Sequence, residues 1–90
     1  MNLIYHVTSP ECSIVRGPVE VPDPEYGRVA TYRGFRVFDT DTGAVQGHCW
    51  HDGSFMCWRT LDQGHYGQEL SARHAIRHIL FYRRLDGYAA

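Results

Sequence analysis

The segment Gln68–Leu85, QELSARHAIRHILFYRRL, constrains the fold most, because its apolar residues recur at helical rather than strand spacing. At about 100° per residue, Ala72, Ala75, Ile76, Ile79, Leu80 and Tyr82 share one broad arc. A helix patterned this way needs an apolar surface to lie on. On its other side Arg73, Arg77 and Arg84 occupy one flank and His74 and His78 the other, with Phe81 between them. An aromatic side chain there has no core of its own to enter, so this face reads as a docking surface.

The surface beneath the helix must come from the residues before it. Arg28–Asp39 (RVATYRGFRVFD) has the strongest strand pattern, with Val29, Phe35 and Val37 on one parity and Ala30, Tyr32 and Phe38 on the other. Apolar groups on both faces imply an internal strand, and Gly34 marks a place for a bulge. Asn2–Thr8 and Ser13–Val21 read as further strands, the second confined to an edge by Gly17 and Pro18. Pro22–Gly27 is an acidic loop. Thr40–Gly43 is a turn, after which Ala44–His51 returns as a strand.

Asp52-Gly53 suits a two-residue primed turn, which would set Trp50 opposite Phe55 and His48 opposite Cys57. Val45, Cys49, Met56 and Trp58 then share a face suited to lie under the helix. Gln46, His48, Trp50, Phe55, Cys57 and Arg59 share the other face, where Trp50, Phe55 and Arg59 form a second candidate binding patch. Leu61–Gly67 reads as a loop into the helix, with Ser71 as the N-cap if the helix starts late. The expected architecture is one α+β domain over residues 1–90: an antiparallel three- to four-stranded sheet packed against one C-terminal helix.

Composition narrows the function classes. Hydrophobic residues make up 43% and charged residues 21%, the balance of a folded globular chain. No apolar run reaches the roughly 20 residues of a membrane span, and Met1–Tyr5 lacks the basic start of a signal peptide, so a cytoplasmic protein is expected. The net charge of −1 conceals a polarity. Glu11, Glu20, Asp23 and Glu25 stand against Arg16 near the start, whereas Arg73, Arg77, Arg83 and Arg84 stand against Glu69 near the end. Every basic residue is Arg, which suits planar contacts to carboxylate, phosphate or aromatic groups.

Chemistry is sparse. Cys12, Cys49 and Cys57 are odd in number and form no CxxC, which implies reduced thiols. His48, Cys49, His51 and Cys57 are the densest set of potential ligands, but successive strand residues point to opposite faces, so no metal is expected. Cys57 opposite His48 would supply half of a nucleophilic pair with no acid to orient it. The chain has no GxxxxGK[ST], GxGxxG or HExxH. No catalytic residue and no cofactor are expected.

Three resemblances accompany this reading. Tyr5, His6, Val7, Thr8 and Ser9 resemble the opening strand of ADP-ribosyltransferases, in which a histidine contacts NAD and a downstream glutamate is catalytic. Beyond Glu25 the only glutamate here is Glu69. Tyr32-Arg33-Gly34-Phe35-Arg36, followed by two hairpins and an Ala-containing helix, resembles AP2 and integrase arm-binding domains. That likeness implies DNA binding through a three-stranded sheet, with Arg33, Arg36 and Arg59 present, and Gln46, His48, Cys49 and Trp50 where more cations would be expected. In size, element order and absence of catalytic motifs the chain resembles small phage and mobile-element inhibitors, anti-CRISPR proteins among them. This third likeness implies a non-catalytic protein that occupies a surface of a host protein or ribonucleoprotein complex, and it is the leading expectation.

Overall fold

Alternation of apolar and polar residues organises two long hairpins. β1 (Cys12–Asp23) and β2 (Arg28–Asp39) form the first, and β3 (Val45–His51) and β4 (Met56–Thr60) form the second. β5 (Tyr66–Glu69) adds an outer strand, and α1 (Ala72–Gly87) follows. The strands pair in chain order, β1-β2-β3-β4-β5, and every pairing is antiparallel. The computed structural model describes residues 12–87 apart from positions 24, 41 and 63, with side chains as far as 83. The expected strand Asn2–Thr8, with His6, lies outside the described residues, as does the tail Tyr88–Ala90.

The fold is α+β with one C-terminal helix on an antiparallel sheet, as expected, but the sheet has five strands instead of three or four. The additional strand is β5, where the sequence pattern predicts a loop and the start of the helix. Gln68 and Glu69 pair with Cys57 and Met56, so the helix begins late. Ser71 caps it: its Oγ accepts the His74 N–H at 3.3 Å and its carbonyl accepts the Ala75 N–H at 3.2 Å.

One face of the sheet receives the helix. Cys12, Ile14, Phe35, Val37, Cys49 and Trp58 enclose Ala72, Ala75, Ile76 and Ile79, with Met56, Leu80 and Tyr82 at the margin. Ile76 and Ile79 are fully buried, and each such side chain contributes about 1.5–3 kcal/mol to folding. Trp58 sits at the centre. Its indole lies parallel to His78 (centroids 5.1 Å apart) and to Tyr82 (5.8 Å), and its edge rests on Gly67, where a Cβ would come within 2.9 Å of Nε1. Any side chain at 67 would push the indole off the helix.

The second hairpin departs from the two-residue turn. Its loop runs Asp52–Phe55, closed by the Asp52 carboxylate, which accepts the Ser54 and Phe55 amides at 2.8 Å each. Trp50 therefore pairs with Cys57, Cys49 with Trp58, and His48 with Arg59. A slip of two positions leaves each side chain on its original face, so the expected division into a helix side and an opposite side survives the wrong register.

The opposite face has its own small cluster. β3 pairs with β2 only over Gly34–Phe38, and the bulge falls between Val37 and Phe38 rather than at Gly34. The free half of the β1–β2 hairpin curls back over this face, so that Val19, Trp50 and Cys57 pack together with Val21 and Tyr32 at the rim. Gly34 permits the bend. A Cβ there would come within 2.0 Å of the Cys49 carbonyl oxygen and 2.8 Å of a Val19 methyl, whereas one on its cross-strand partner Gly17 would meet nothing within 4 Å. Gly34→Ala is therefore expected to destabilise the protein by about 1–3 kcal/mol, with Gly17→Ala within about 0.5 kcal/mol of wild type. Urea unfolding of the two variants side by side checks this.

Candidate functional site

The inward arc of α1 decides what faces out. With Ala72, Ala75, Ile76 and Ile79 buried, Arg73, His74, Arg77 and Phe81 are exposed, and Phe81 retains 58% of its accessible surface. Its ring meets the edge of Tyr82, with centroids 5.2 Å apart. Arg73 and Arg77, one turn apart, have no ion pair or hydrogen bond among the described residues. His74 turns back to the cap, its Nδ1 2.9 Å from Ser71 Oγ. Arg84 continues this side of the helix, but its side chain lies outside the described residues.

His78 does not join this surface as expected. Its ring stacks on Trp58, and its Nε2 lies 3.2 Å from a carboxylate oxygen of Glu69. The cause is angular: His78 borders Tyr82 on the helix wheel, and the broad indole below extends far enough to reach both. Arg83 is likewise committed inward, donating to Gln46 Oε1 at 3.2 Å and lying 3.8 Å from Asp62.

The second candidate patch is not assembled as one surface. Trp50 packs with Val19 and keeps only 9% of its accessible surface, Arg59 lies over its ring at 5.3 Å and donates to the Glu20 carbonyl at 2.9 Å, and Phe55 sits apart in the hairpin loop with 39% exposure. The curled hairpin takes the tryptophan that the patch required. In its place the register aligns residues that sequence reasoning did not group: Arg36 opposite His48, His48 opposite Arg59, and Arg59 opposite Tyr66. Only a correct hairpin register and recognition of β5 would have revealed this row. Burial, followed by the Arg59 and Arg36 charges, lowers the His48 pKa from its ordinary value.

The cysteines are placed as thiols. Cys57 faces Trp50 and Gln68 instead of His48, and its Sγ lies 3.5 Å from Asp52. Burial first, then Asp52, raises its pKa; burial also raises those of Cys49 and Cys12. Among the described residues no group of three or more His, Cys, Asp or Glu side chains converges to hold a metal. No helix among them is long and apolar enough to cross a membrane. A groove of about 730 Å³ passes Arg16, Tyr32, Arg33, Phe35, His51 and Met56.

The fold and its surfaces thus define a small α+β domain with a helix laid on a five-stranded meander. No protein-family model matches the chain, and neither curated proteins nor solved structures provide a match.

Two measurements follow from the ionisable groups. The three thiols are expected to react slowly with a disulfide reagent at neutral pH in the native protein and rapidly after unfolding; a fast-reacting native thiol would contradict their placement. The Asp52 pKa is lowered by the Phe55 and Ser54 amides, so this carboxylate supports the fold above its unfolded pKa of about 3.9 and loses that effect as pH falls through its folded value. Asp52→Asn should flatten part of the acid limb of stability measured by denaturant unfolding below about pH 4.

Proposed function

We propose that this is a small non-catalytic binding protein, similar to phage inhibitors of the anti-CRISPR kind, that occupies a surface of a host protein or ribonucleoprotein complex in the host cytosol. The observation that carries the reading is Phe81, exposed to 58% on the side of α1 turned away from the core, beside Arg73 and Arg77, which have no ion pair among the described residues. Burying such a ring against a partner contributes about 1.5–3 kcal/mol, and Arg and aromatic residues are the side chains most enriched where interfaces concentrate their energy. A rigid helix supplies the patch with little ordering cost on binding.

The partner that fits is acidic around an apolar recess: the ring enters the recess, and Arg73 and Arg77 meet carboxylates at its rim. Blocking requires no turnover, which agrees with thiols held protonated and with the separation of His48 from Cys57. Tagged wild-type protein should retain a near-stoichiometric complex from a host lysate. Phe81→Ala and Arg77→Glu should each weaken retention by roughly 30-fold while keeping wild-type circular dichroism, since neither side chain supports the core. Retention of the complex by both variants overturns the proposal.

A further inference from the structure

The face of the sheet opposite the helix carries a strip beside the Val19–Trp50 cluster, exposed at its two ends and half-buried between them. β2, β3, β4 and β5 each contribute one residue to it, in the order Arg36, His48, Arg59 and Tyr66. Adjacent strands lie about 4.8 Å apart, so the row is roughly 15 Å long. Arg36 is exposed, and Tyr66 at the outer strand keeps 78% of its surface. Arg59 holds one guanidinium nitrogen on the Glu20 carbonyl, and Arg36 has no acid partner among the described residues.

His48 is the second, independent observation. Its Nδ1 is buried with no hydrogen-bond partner among the described residues. Because an unmet acceptor is less costly than an unmet N–H, we assign the proton of the neutral ring to Nε2. The strip thus presents an imidazole N–H between two guanidinium groups. Asp52, the carboxylate of the β3–β4 hairpin, is occupied by the Ser54 and Phe55 amides and by Cys57.

We infer that this strip binds the phosphodiester backbone of a single-stranded nucleic acid, with Arg36, His48 and Arg59 contacting phosphates and Tyr66 stacking on a base. A row of donors ending in an exposed ring is the pairing by which proteins hold single strands without reading sequence. A single strand is favoured over a duplex because Tyr66 needs the face of an unpaired base to stack on. An acidic peptide would leave Tyr66 with no planar partner. A phosphate over His48 also relieves the repulsion that Arg36 and Arg59 impose on its charged form, so binding and protonation of this ring reinforce each other. The site lies across the sheet from Phe81 and does not depend on the helix-face proposal.

The test is fluorescence anisotropy of a short labelled oligothymidylate at low salt, paired with an NMR titration of isotope-labelled protein. Expected are amide shifts at Arg36, His48, Arg59 and Tyr66, a rise in the His48 pKa on addition of the strand, and a log–log salt slope near −2 from three phosphates at about −0.7 each. Arg36→Glu and Tyr66→Ala, both at exposed positions, should each weaken binding by roughly fivefold or more. The inference is overturned by any of four outcomes: no anisotropy change, shifts confined to α1, equal or tighter binding of a duplex of the same length, or a polyglutamate peptide or inorganic phosphate that moves the same amides at the same concentration.

Discussion

A sheet with two apolar faces and a single helix to cover them is the constraint from which the rest of the molecule follows. α1 places Ala72, Ala75, Ile76 and Ile79 against one face, and no other helix among the described residues can serve the second. The chain covers it with its own strands. The β1–β2 hairpin is longer than β3, so its unpaired half turns over Trp50 and Cys57 and closes a second cluster with Val19, Val21 and Tyr32. That solution depends on backbone passing very close to backbone, and Gly34 stands at the crossing. The cluster covers only part of the face, and the row from Arg36 to Tyr66 lies beside it.

How much of this was legible depends on whether the determinant was local. The helical period between Ala72 and Tyr82 records which side must be buried regardless of what buries it, and the strand alternation in β2, β3 and β4 does the same for the two sheet faces. Those features could be read directly. The hairpin register could not, because Asp52 closes a longer loop with its own side chain, yet the faces survived since a slip of two preserves parity. β5 was hidden for a different reason. Tyr66–Glu69 is a short edge strand with polar alternation and a glycine, and its glycine is explained only by the Trp58 indole lying on it, a contact between strands that no pattern within β5 displays.

The candidate site divides along the same line. Arg73, Arg77 and Phe81 could be assigned to the outside because the helix wheel fixes angle relative to the buried arc. His78 and Trp50 could not be assigned, because both lie where a neighbour's size decides exposure. Trp58 is wide enough to reach His78 at the edge of the arc, and Val19 reaches Trp50 only because the hairpin bends. Aromatic and imidazole rings serve cores and interfaces equally well, so their chemistry alone does not discriminate between the two uses.

The arginines make the division sharper. Arg83 and Arg59 each have internal acceptors: Gln46 and Asp62 for the first, the Glu20 carbonyl and the Trp50 face for the second. Arg73, Arg77 and Arg36 have none among the described residues, although the chain as a whole carries slightly more acid than base. Surface ion pairs contribute little to folding, so stability alone exerts only weak pressure to pair these groups. What stability does not explain is their company. On α1 the unpaired guanidinium groups stand beside an exposed phenyl ring, and on the sheet an unpaired guanidinium stands in line with an orphaned imidazole and an exposed phenol. A cation kept only for solubility needs no such neighbour, whereas one that meets a partner gains from a ring or a second donor that fixes the geometry of contact.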